Sequence, residues 1–236
     1  AGPERAVSAA KTDEDDVESS RAPLLDHLSE LRSRLVTVSI ALVVAFIGCF
    51  LFADPIFQLL AAPFKAARDA AHPDLIGQPI ELINTGAFGF FSVKMQIALF
   101  AAIVVTFPII AWQAYSFIAP GLYRRERAAA APFLVGAPFM FALGAAFVYY
   151  VAMPFALQFA FSQELSDGTL RVKYLPKVDE YMGLVTTLVL AFGLMFQLPV
   201  VLSLLGGAGM VSASMLRKGR RYAVVAIAAF AAFVTP

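Results

Sequence analysis

Carboxylates placed among arginines are the side chains of this sequence with the clearest capacity for chemistry. Asp26 and Glu30 precede the first long apolar stretch, and Glu126 lies in a basic segment between the second and the third. A carboxylate can accept two hydrogen bonds from the planar guanidinium of arginine, whereas lysine offers only a point charge. Binding of a guanidinium group is therefore the chemistry for which these acids are suited.

Two of these acids, Glu30 and Glu126, also have a structural interpretation. Glu30 lies four residues before Arg34, the favourable order for an ion pair along one helix, which is worth about 0.2–0.5 kcal/mol. Glu126 lies between Arg125 and Arg127, as a solvated acid of a basic loop would. Such arginines would repel a further cationic group unless they faced lipid phosphates or other acids. The sequence alone leaves both interpretations open.

The sequence contains no pattern of a catalytic or metal site. His27 and His72 stand alone, and the single cysteine, Cys49, has no second cysteine for an intramolecular disulfide. No phosphate-binding loop, nucleophile elbow or metal-ligand spacing occurs. We therefore expect a protein that acts by binding, with no metal, no cofactor and no enzymatic activity.

Long apolar stretches must position the acids. Of the 236 residues, 60% are hydrophobic and 15% charged, against about 45–50% and about 25% in soluble domains. Four stretches carry no charge and are long enough to cross a bilayer, namely 35–53, 95–123, 128–163 and 181–216. The sequence predicts an all-α polytopic membrane bundle, kinked at prolines, with spans at about 35–53, 88–119, 130–153, 181–206 and 222–236.

The segments outside the spans differ in character. The acidic segment 1–20 is too polar to pack and predicts a disordered tail, while leucines at helical spacing predict a short amphipathic surface helix over 21–34. The loops at about 54–85 and 154–180 are expected on the opposite side of the membrane from the tail. Because the first of them contains several prolines, we expect a cap of short pieces there and not one helix.

The distribution of basic residues predicts the orientation. Ten Lys and Arg residues flank the spans on the side of the N-terminus and five lie on the other side. The ten are Arg21, Arg32, Arg34, Arg124, Arg125, Arg127, Arg217, Lys218, Arg220 and Arg221, and the five are Lys65, Arg68, Arg171, Lys173 and Lys177. Since short cytoplasmic loops are enriched in basic residues, the N-terminus is expected in the cytoplasm.

Several segments resemble the TatC family, the signal-peptide receptors of the twin-arginine export system. Residues 27–35, HLSELRSRL, resemble the N-terminal surface motif of the family, and residues 117–127, FIAPGLYRRER, resemble its first cytoplasmic loop. Further similar segments are 61–64, 191–199 and 217–222. The sequence reaches Thr235-Pro236, where the family pattern continues into a sixth helix, so we expect the family's kinked bundle with five of its six helices begun here.

The resemblance implies binding of twin-arginine signal peptides of folded precursor proteins, in the bacterial cytoplasmic (inner) membrane. It implies partners of the single-span TatA and TatB types, contact with membrane lipids, a homo-oligomeric arrangement within the complex and no nucleic acid. The implied signal-peptide residues are Glu30, Arg32, Phe117 and Glu126, and the implied concave-face or partner residues are Gln197 and Pro63.

Alternatives remain for some of these positions and for the function. Phe117 can serve as an interfacial aromatic anchor, Pro63 as a rigid element of the cap, and Gln197 as one half of an ordinary interhelical hydrogen bond. At position 197 some relatives carry Glu in place of Gln. The alternative function is a small-solute transporter or channel, which the uncharged span interiors and the absence of paired interrupted helices disfavour.

Overall fold

The computed structural model describes residues 28–118, 124–167, 170–207, 209 and 211–234. Eight α-helices account for most of this part of the chain: α1 (Leu28–Leu51), α2 (Ala53–Ala71), α3 (Gly89–Ile118), α4 (Arg124–Phe147), α5 (Met153–Ser162), α6 (Val178–Met195), α7 (Leu198–Gly207) and α8 (Ala213–Val234). A 3-10 turn follows α2 at Pro73–Leu75, and a π-helical turn, Val148–Ala152, joins α4 to α5. Strands β1 (Leu165–Asp167) and β2 (Leu170–Val172) pair antiparallel, with Leu165 opposite Val172.

Four helical segments are long and apolar enough to cross a membrane, namely Leu28–Leu51, Gly89–Phe117, Val135–Ser162 and Val178–Gly206. The third combines α4, the π turn and α5, and the fourth combines α6 and α7. Helix α1 passes through positions 34 and 35 without a break, so residues 28–34 extend the first span helix. The predicted tail and the first part of the predicted surface helix, residues 1–27, lie outside the described residues.

The packed core joins α2, α3, α5 and α6 in one half of the bundle. Its fully buried members include Ile97, Leu157, Tyr181, Met182 and Val185. Helix α1 contributes little to this core, because no residue in the window that makes it a candidate span is buried. In a membrane protein, such outward apolar side chains face lipid, where they need no protein cover.

The expectation that prolines break the first connecting segment into short pieces is wrong for residues 53–71, which form the single helix α2. Pro55 lies in the first turn, where a backbone N–H has no partner within the helix. Pro63 lies inside the helix and leaves the carbonyl of Leu59 without its usual donor. The hydroxyl of Tyr149 supplies a donor instead, at 2.8 Å from the Leu59 oxygen. A distant side chain thus allows the helix to continue through its proline.

Buried Arg68, in the last turn of α2, holds the segment after α2 in place by hydrogen bonds. Its guanidinium donates to the backbone oxygens of Pro79 and Gln78 at 2.8 and 3.1 Å, and to Asp69 at 2.6 Å. Gly77 makes the turn directly before these two carbonyls. Its φ of 85° is a conformation that favours glycine. The same segment then forms a parallel bridge between Ile83 and Lys177 at the start of α6. We call residues 53–88 and 163–177 together the cap.

Helices α4 and α6 approach each other through two glycines. A methyl group on Gly144 would lie 2.7 Å from the carbonyl oxygen of Phe192, and one on Gly193 would lie 2.6 Å from the ring of Phe141. Small residues allow such close backbone contact between helices in a membrane, where packing and not water exclusion drives association.

Two interruptions of the spans lie just before prolines. The π turn precedes Pro154, and Met153 N donates to the oxygen of Val148, five residues back. Helices α6 and α7 are separated by Phe196 and Gln197, directly before Leu198 and Pro199. Because proline lacks an amide hydrogen, it removes one helical hydrogen bond and favours a bend at these places. The sequence predicts kinks at the prolines inside the spans; the break before Pro199 agrees with this, whereas α3 continues as one helix through Pro108.

We expect Tyr149→Phe to lower the free energy of unfolding by about 1 kcal/mol, since the Leu59 carbonyl then loses its hydroxyl donor in apolar surroundings. Thermal unfolding of the purified protein in detergent measures the effect. The matched control is Tyr150→Phe, which removes a hydroxyl from the neighbouring residue, 74% exposed. Equal losses in the two variants would contradict the role given to Tyr149.

Gly193→Ala is expected to destabilise the protein by about 1–3 kcal/mol, because the new methyl group overlaps the buried ring of Phe141. That ring cannot move aside freely, since it stacks on Phe107 with 4.2 Å between ring centroids. Gly136→Ala in α4 is the control, because its methyl group meets nothing within 4 Å. Unchanged thermal stability of Gly193→Ala would show that the α4–α6 crossing is looser than described.

Candidate functional site

The bundle has two ends, which side-chain contacts identify. At one end Lys94, near the start of α3, pairs with Asp54 of the cap at 2.7 Å. At the other end Arg34, near the start of α1, donates to Oε1 of Gln113 in the last turns of α3, at 3.2 Å. We call the first the cap end and the second the Glu30 end. The acids singled out in the sequence belong to the Glu30 end.

The carboxylate of Glu30 already holds a guanidinium. Arg34 donates to Oε1 of Glu30 from Nε at 3.2 Å and from a terminal nitrogen at 2.5 Å. The pair is accessible, with the Glu30 side chain 36% exposed and that of Arg34 23% exposed. The ion pair predicted from the spacing of four residues is therefore present, and the described geometry shows that this carboxylate can bind an arginine side chain. Gln113 extends the pair into a bridge from α1 to α3.

Phe117 lies one helical turn beyond Gln113, and residues four apart share a face of a helix. Its side chain is half-buried. Arg32, two residues from Glu30 in α1, is exposed. The described contacts thus join Glu30 and Arg34 to Gln113, the spacing of four residues places Phe117 on the same face of α3 as Gln113, and Arg32 is exposed.

Glu126 lies in the first turn of α4 by its backbone position, but its side chain lies outside the described residues. Helix α3 ends at Ile118 and α4 begins at Arg124. The five residues between them can span at most about 20 Å, so the start of α4 lies at the Glu30 end.

Gln197 lies at the break between α6 and α7 and contacts α4. Its Nε2 donates to the backbone oxygen of Ala137 at 2.9 Å and, more weakly, to that of Gly193 at 3.4 Å. The interhelical hydrogen bond considered from the sequence is therefore present. Within the described part of the chain, Oε1 of the same half-buried side chain accepts no hydrogen bond. Pro63 is buried within α2, far from Glu30 along the bundle.

The cap end contains a cleft of about 690 Å³. Its polar lining includes His72 and Glu164, which are 2.7 Å apart, and Glu164 also accepts the backbone N–H of Tyr174 at 2.8 Å. Burial raises the pKa of the Tyr174 phenol, and the negative charge of Glu180 raises it further. This cleft lies at the opposite end from Glu30 and so does not contain the predicted arginine-binding acids. Among the described residues, no group of three or more His, Cys, Asp or Glu could hold a metal ion.

Sequence reasoning missed Gln113, whose contact with Arg34 joins residues 79 positions apart. A polar side chain four residues before Phe117, at the end of an apolar helix, was the available signal. It also missed the burial of Arg68, because a basic residue in a connecting segment is ordinarily solvated.

Comparison with known proteins gives a consistent result. The family described as Sec-independent protein translocase protein (TatC) matches residues 26–236. A TatC of Magnetococcus marinus is 38% identical over 221 residues, covering 94% of this chain and 77% of the relative. A TatC of Deinococcus radiodurans is 35% identical, covering 93% of this chain and 78% of the relative.

Solved structures agree with the sequence comparison. A crystal structure described as the twin arginine translocase receptor TatC is 34% identical and superposes with a TM-score of 0.74, covering 89% of this chain and 87% of that one. A second structure of that receptor, in the detergent DDM, superposes with a TM-score of 0.75. The predicted all-α membrane fold is confirmed, and the chain belongs to the TatC family of Sec-independent protein translocase subunits.

Proposed function

We propose that this translocase subunit is a receptor that binds the paired arginines of export signal peptides at its Glu30 end. The observation that carries the proposal is the Glu30 carboxylate, which already accepts two hydrogen bonds from a guanidinium at an accessible position. The solved structure that resembles this chain is described as a twin arginine translocase receptor. The assignment to a family of protein translocase subunits leaves the small-solute transporter or channel without support.

Glu30 and Glu126 are the proposed acids for the two arginines. Glu30 lies in the first turn of α1 and Glu126 in the first turn of α4, and both turns lie at the Glu30 end of the bundle. Fixed carboxylates select arginine over lysine, because the planar guanidinium can make two directed hydrogen bonds where an ammonium makes a single point contact.

Phe117 and Arg32 complete the proposed site. The ring of Phe117, on the face of α3 that carries Gln113, gives an apolar wall against which the hydrophobic part of a signal peptide can pack. Arg32 points away from the core and is exposed, where it can contact lipid phosphates or polar groups of the peptide.

The Glu30 end is proposed to face the cytoplasm, in the cytoplasmic membrane of a bacterium. Ten of the fifteen Lys and Arg residues that flank the spans lie on that side, as the bias of short cytoplasmic loops requires. The complex would contain single-span subunits of the TatA and TatB types and further copies of this chain, in contact with membrane lipids.

Gln197 is proposed to contribute a hydrogen-bond acceptor to a docking partner or substrate. Its Nε2 is used within the protein, on the oxygen of Ala137, while Oε1 accepts no hydrogen bond from the described residues. A half-buried polar acceptor in apolar surroundings gains from a partner that supplies a donor. Pro63 is proposed to act structurally, by stiffening the cap helix α2.

Binding of labelled signal peptides to the purified protein in detergent tests the receptor proposal. We expect an Arg-Arg peptide to bind more tightly than its Lys-Lys version. Glu30→Gln should weaken Arg-Arg binding by about tenfold or more, the loss expected for a charge-assisted hydrogen bond.

Glu180→Gln is the matched control for that experiment. It also removes an acid from an ion pair, here with Lys177 at 2.9 Å, but this acid is exposed and lies at the cap end. It should leave peptide binding unchanged. Equal binding of the two peptides by folded wild-type protein would contradict the proposed arginine recognition.

For Gln197 the informative comparison is between Gln197→Leu and Gln96→Leu. Gln96 also makes an interhelical hydrogen bond, to Thr186 at 3.0 Å, so each variant loses one interhelical hydrogen bond worth about 1 kcal/mol. Only Gln197→Leu should reduce transport of an export substrate and cross-linking to partner subunits. If both variants behaved alike in those assays, Gln197 would have a packing role alone.

A further inference from the structure

Four basic side chains lie close together near the start of α8, at the Glu30 end of the bundle. Helix α6 begins at the cap and α7 ends at the opposite end, so the segment that follows α7 lies at the Glu30 end. We call these four exposed side chains the basic face of α8: Arg217, Lys218, Arg220 and Arg221.

The basic face has no acid nearby in the sequence. Residues 181–236 contain these four cations and no Asp or Glu. None of the four forms an ion pair with another described residue, whereas Arg34 at the same end pairs with Glu30. Because four neighbouring cations repel one another, the basic face gains from an anion that comes from outside the chain.

The four cations share one side of the helix. Successive residues of an α-helix are rotated by about 100°, so positions 217, 218, 220 and 221 cover roughly half of its circumference. Gly219 lies on the other side and is half-buried. The cations therefore project away from the rest of the protein, toward the surroundings of α8.

Apolar residues continue the same side of α8 beyond the cations. Val224 and Val225 lie two helical turns after Arg217 and Lys218, and residues seven apart share a face. The two valines are 61% and 68% exposed. No residue from 222 to 234 is charged, so this part of the helix suits the hydrocarbon of a bilayer.

Tyr222 lies at the boundary between the two parts. Its ring is 67% exposed, and the guanidinium of Arg221 lies over it, 5.0 Å from the ring centroid. Tyrosine is enriched where lipid headgroups meet hydrocarbon, and basic residues at that level attract anionic headgroups. The basic face therefore lies at the level of the lipid phosphates, which favours a lipid over a soluble anion.

We propose that the basic face of α8 binds the headgroup of an anionic phospholipid. Three of the four cations are arginines, and a guanidinium can donate two parallel hydrogen bonds to a phosphate. A zwitterionic headgroup brings an ammonium group that the cations repel, so a headgroup with net negative charge is preferred. The headgroup contact depends on the cations and not on which lipid chain or helix packs against Val224 and Val225. It is also independent of arginine recognition at Glu30.

The test is lipid binding by the purified full chain in detergent, with bound lipid counted by native mass spectrometry. We expect phosphatidylglycerol to bind about tenfold or more tightly than phosphatidylcholine with the same acyl chains. Arg217→Gln combined with Arg221→Gln should weaken phosphatidylglycerol binding by about fivefold for each cation removed and leave phosphatidylcholine binding nearly unchanged. Because both positions are exposed and glutamine is a good helix former, folding should be preserved.

The matched control is Lys65→Gln combined with Lys173→Gln. Both lysines belong to the cap, are exposed and form no ion pair with another described residue, so the control removes the same charge. It should keep the preference for phosphatidylglycerol. Equal losses in the two double variants would overturn the inference, since lipid binding would then follow net charge and not the basic face.

Two further measurements identify other occupants of the basic face. Glycerol phosphate has the headgroup chemistry without acyl chains, so binding as tight as that of phosphatidylglycerol would indicate a site for soluble anions and contradict the lipid assignment. A preference that appeared only after the six acids of residues 1–20 were replaced by Asn and Gln would show that those acids cover the basic face, and the inference would be wrong. Equal binding of the two lipids by every variant would overturn it as well.

Discussion

Backbone carbonyls that lose their helical donors in apolar surroundings must find another donor, and the bent helices of this bundle depend on that constraint. Tyr149 serves the Leu59 oxygen that Pro63 leaves open. At the break before Pro199, the backbone N–H of Gln197 donates to Leu194, three residues back, and the Gln197 side chain lies 3.4 Å from the oxygen of Gly193. These side-chain donors thus lower the free-energy cost of carbonyls that the bends leave without a backbone donor.

The same junctions determine where the helices meet. The close approach of Gly144 and Gly193 brings α4 and α6 into backbone contact, and the bond from Gln197 to Ala137 fixes the next turn of the same interface. Helix α4 begins at the Glu30 end, where its first turn contains Glu126, and runs from there to this interface with α6. The backbone position of Glu126, one of the two proposed receptor acids, therefore depends on how two glycines and one amide seat α4 against α6.

Local patterns predicted the features that depend on local chemistry. Charge-free stretches located the four spans, and a spacing of four residues located the pair of Glu30 with Arg34, because both depend on helical geometry and hydrocarbon thickness alone. The continuity of α2 through Pro63 was not predictable in this way, since the rescuing hydroxyl comes from Tyr149, 90 positions from the carbonyl it serves. The burial of Arg68 likewise depends on the carbonyls of Leu75, Gln78 and Pro79, in a segment that folds back over it.

The Glu30 end is basic, which constrains how an arginine-rich peptide can be recognised there. Helix α6 starts at the cap and α7 ends at the opposite end, so α8 begins at the Glu30 end and brings Arg217, Lys218, Arg220 and Arg221 with it. The long-range field of these residues repels a basic peptide, although salt and anionic lipid headgroups screen it over about 10 Å or less. Attraction must therefore come from short-range contacts, in which the direction of each hydrogen bond counts more than net charge. A fixed carboxylate that distinguishes a guanidinium from an ammonium by geometry meets that requirement, whereas a diffuse acidic patch would bind either cation.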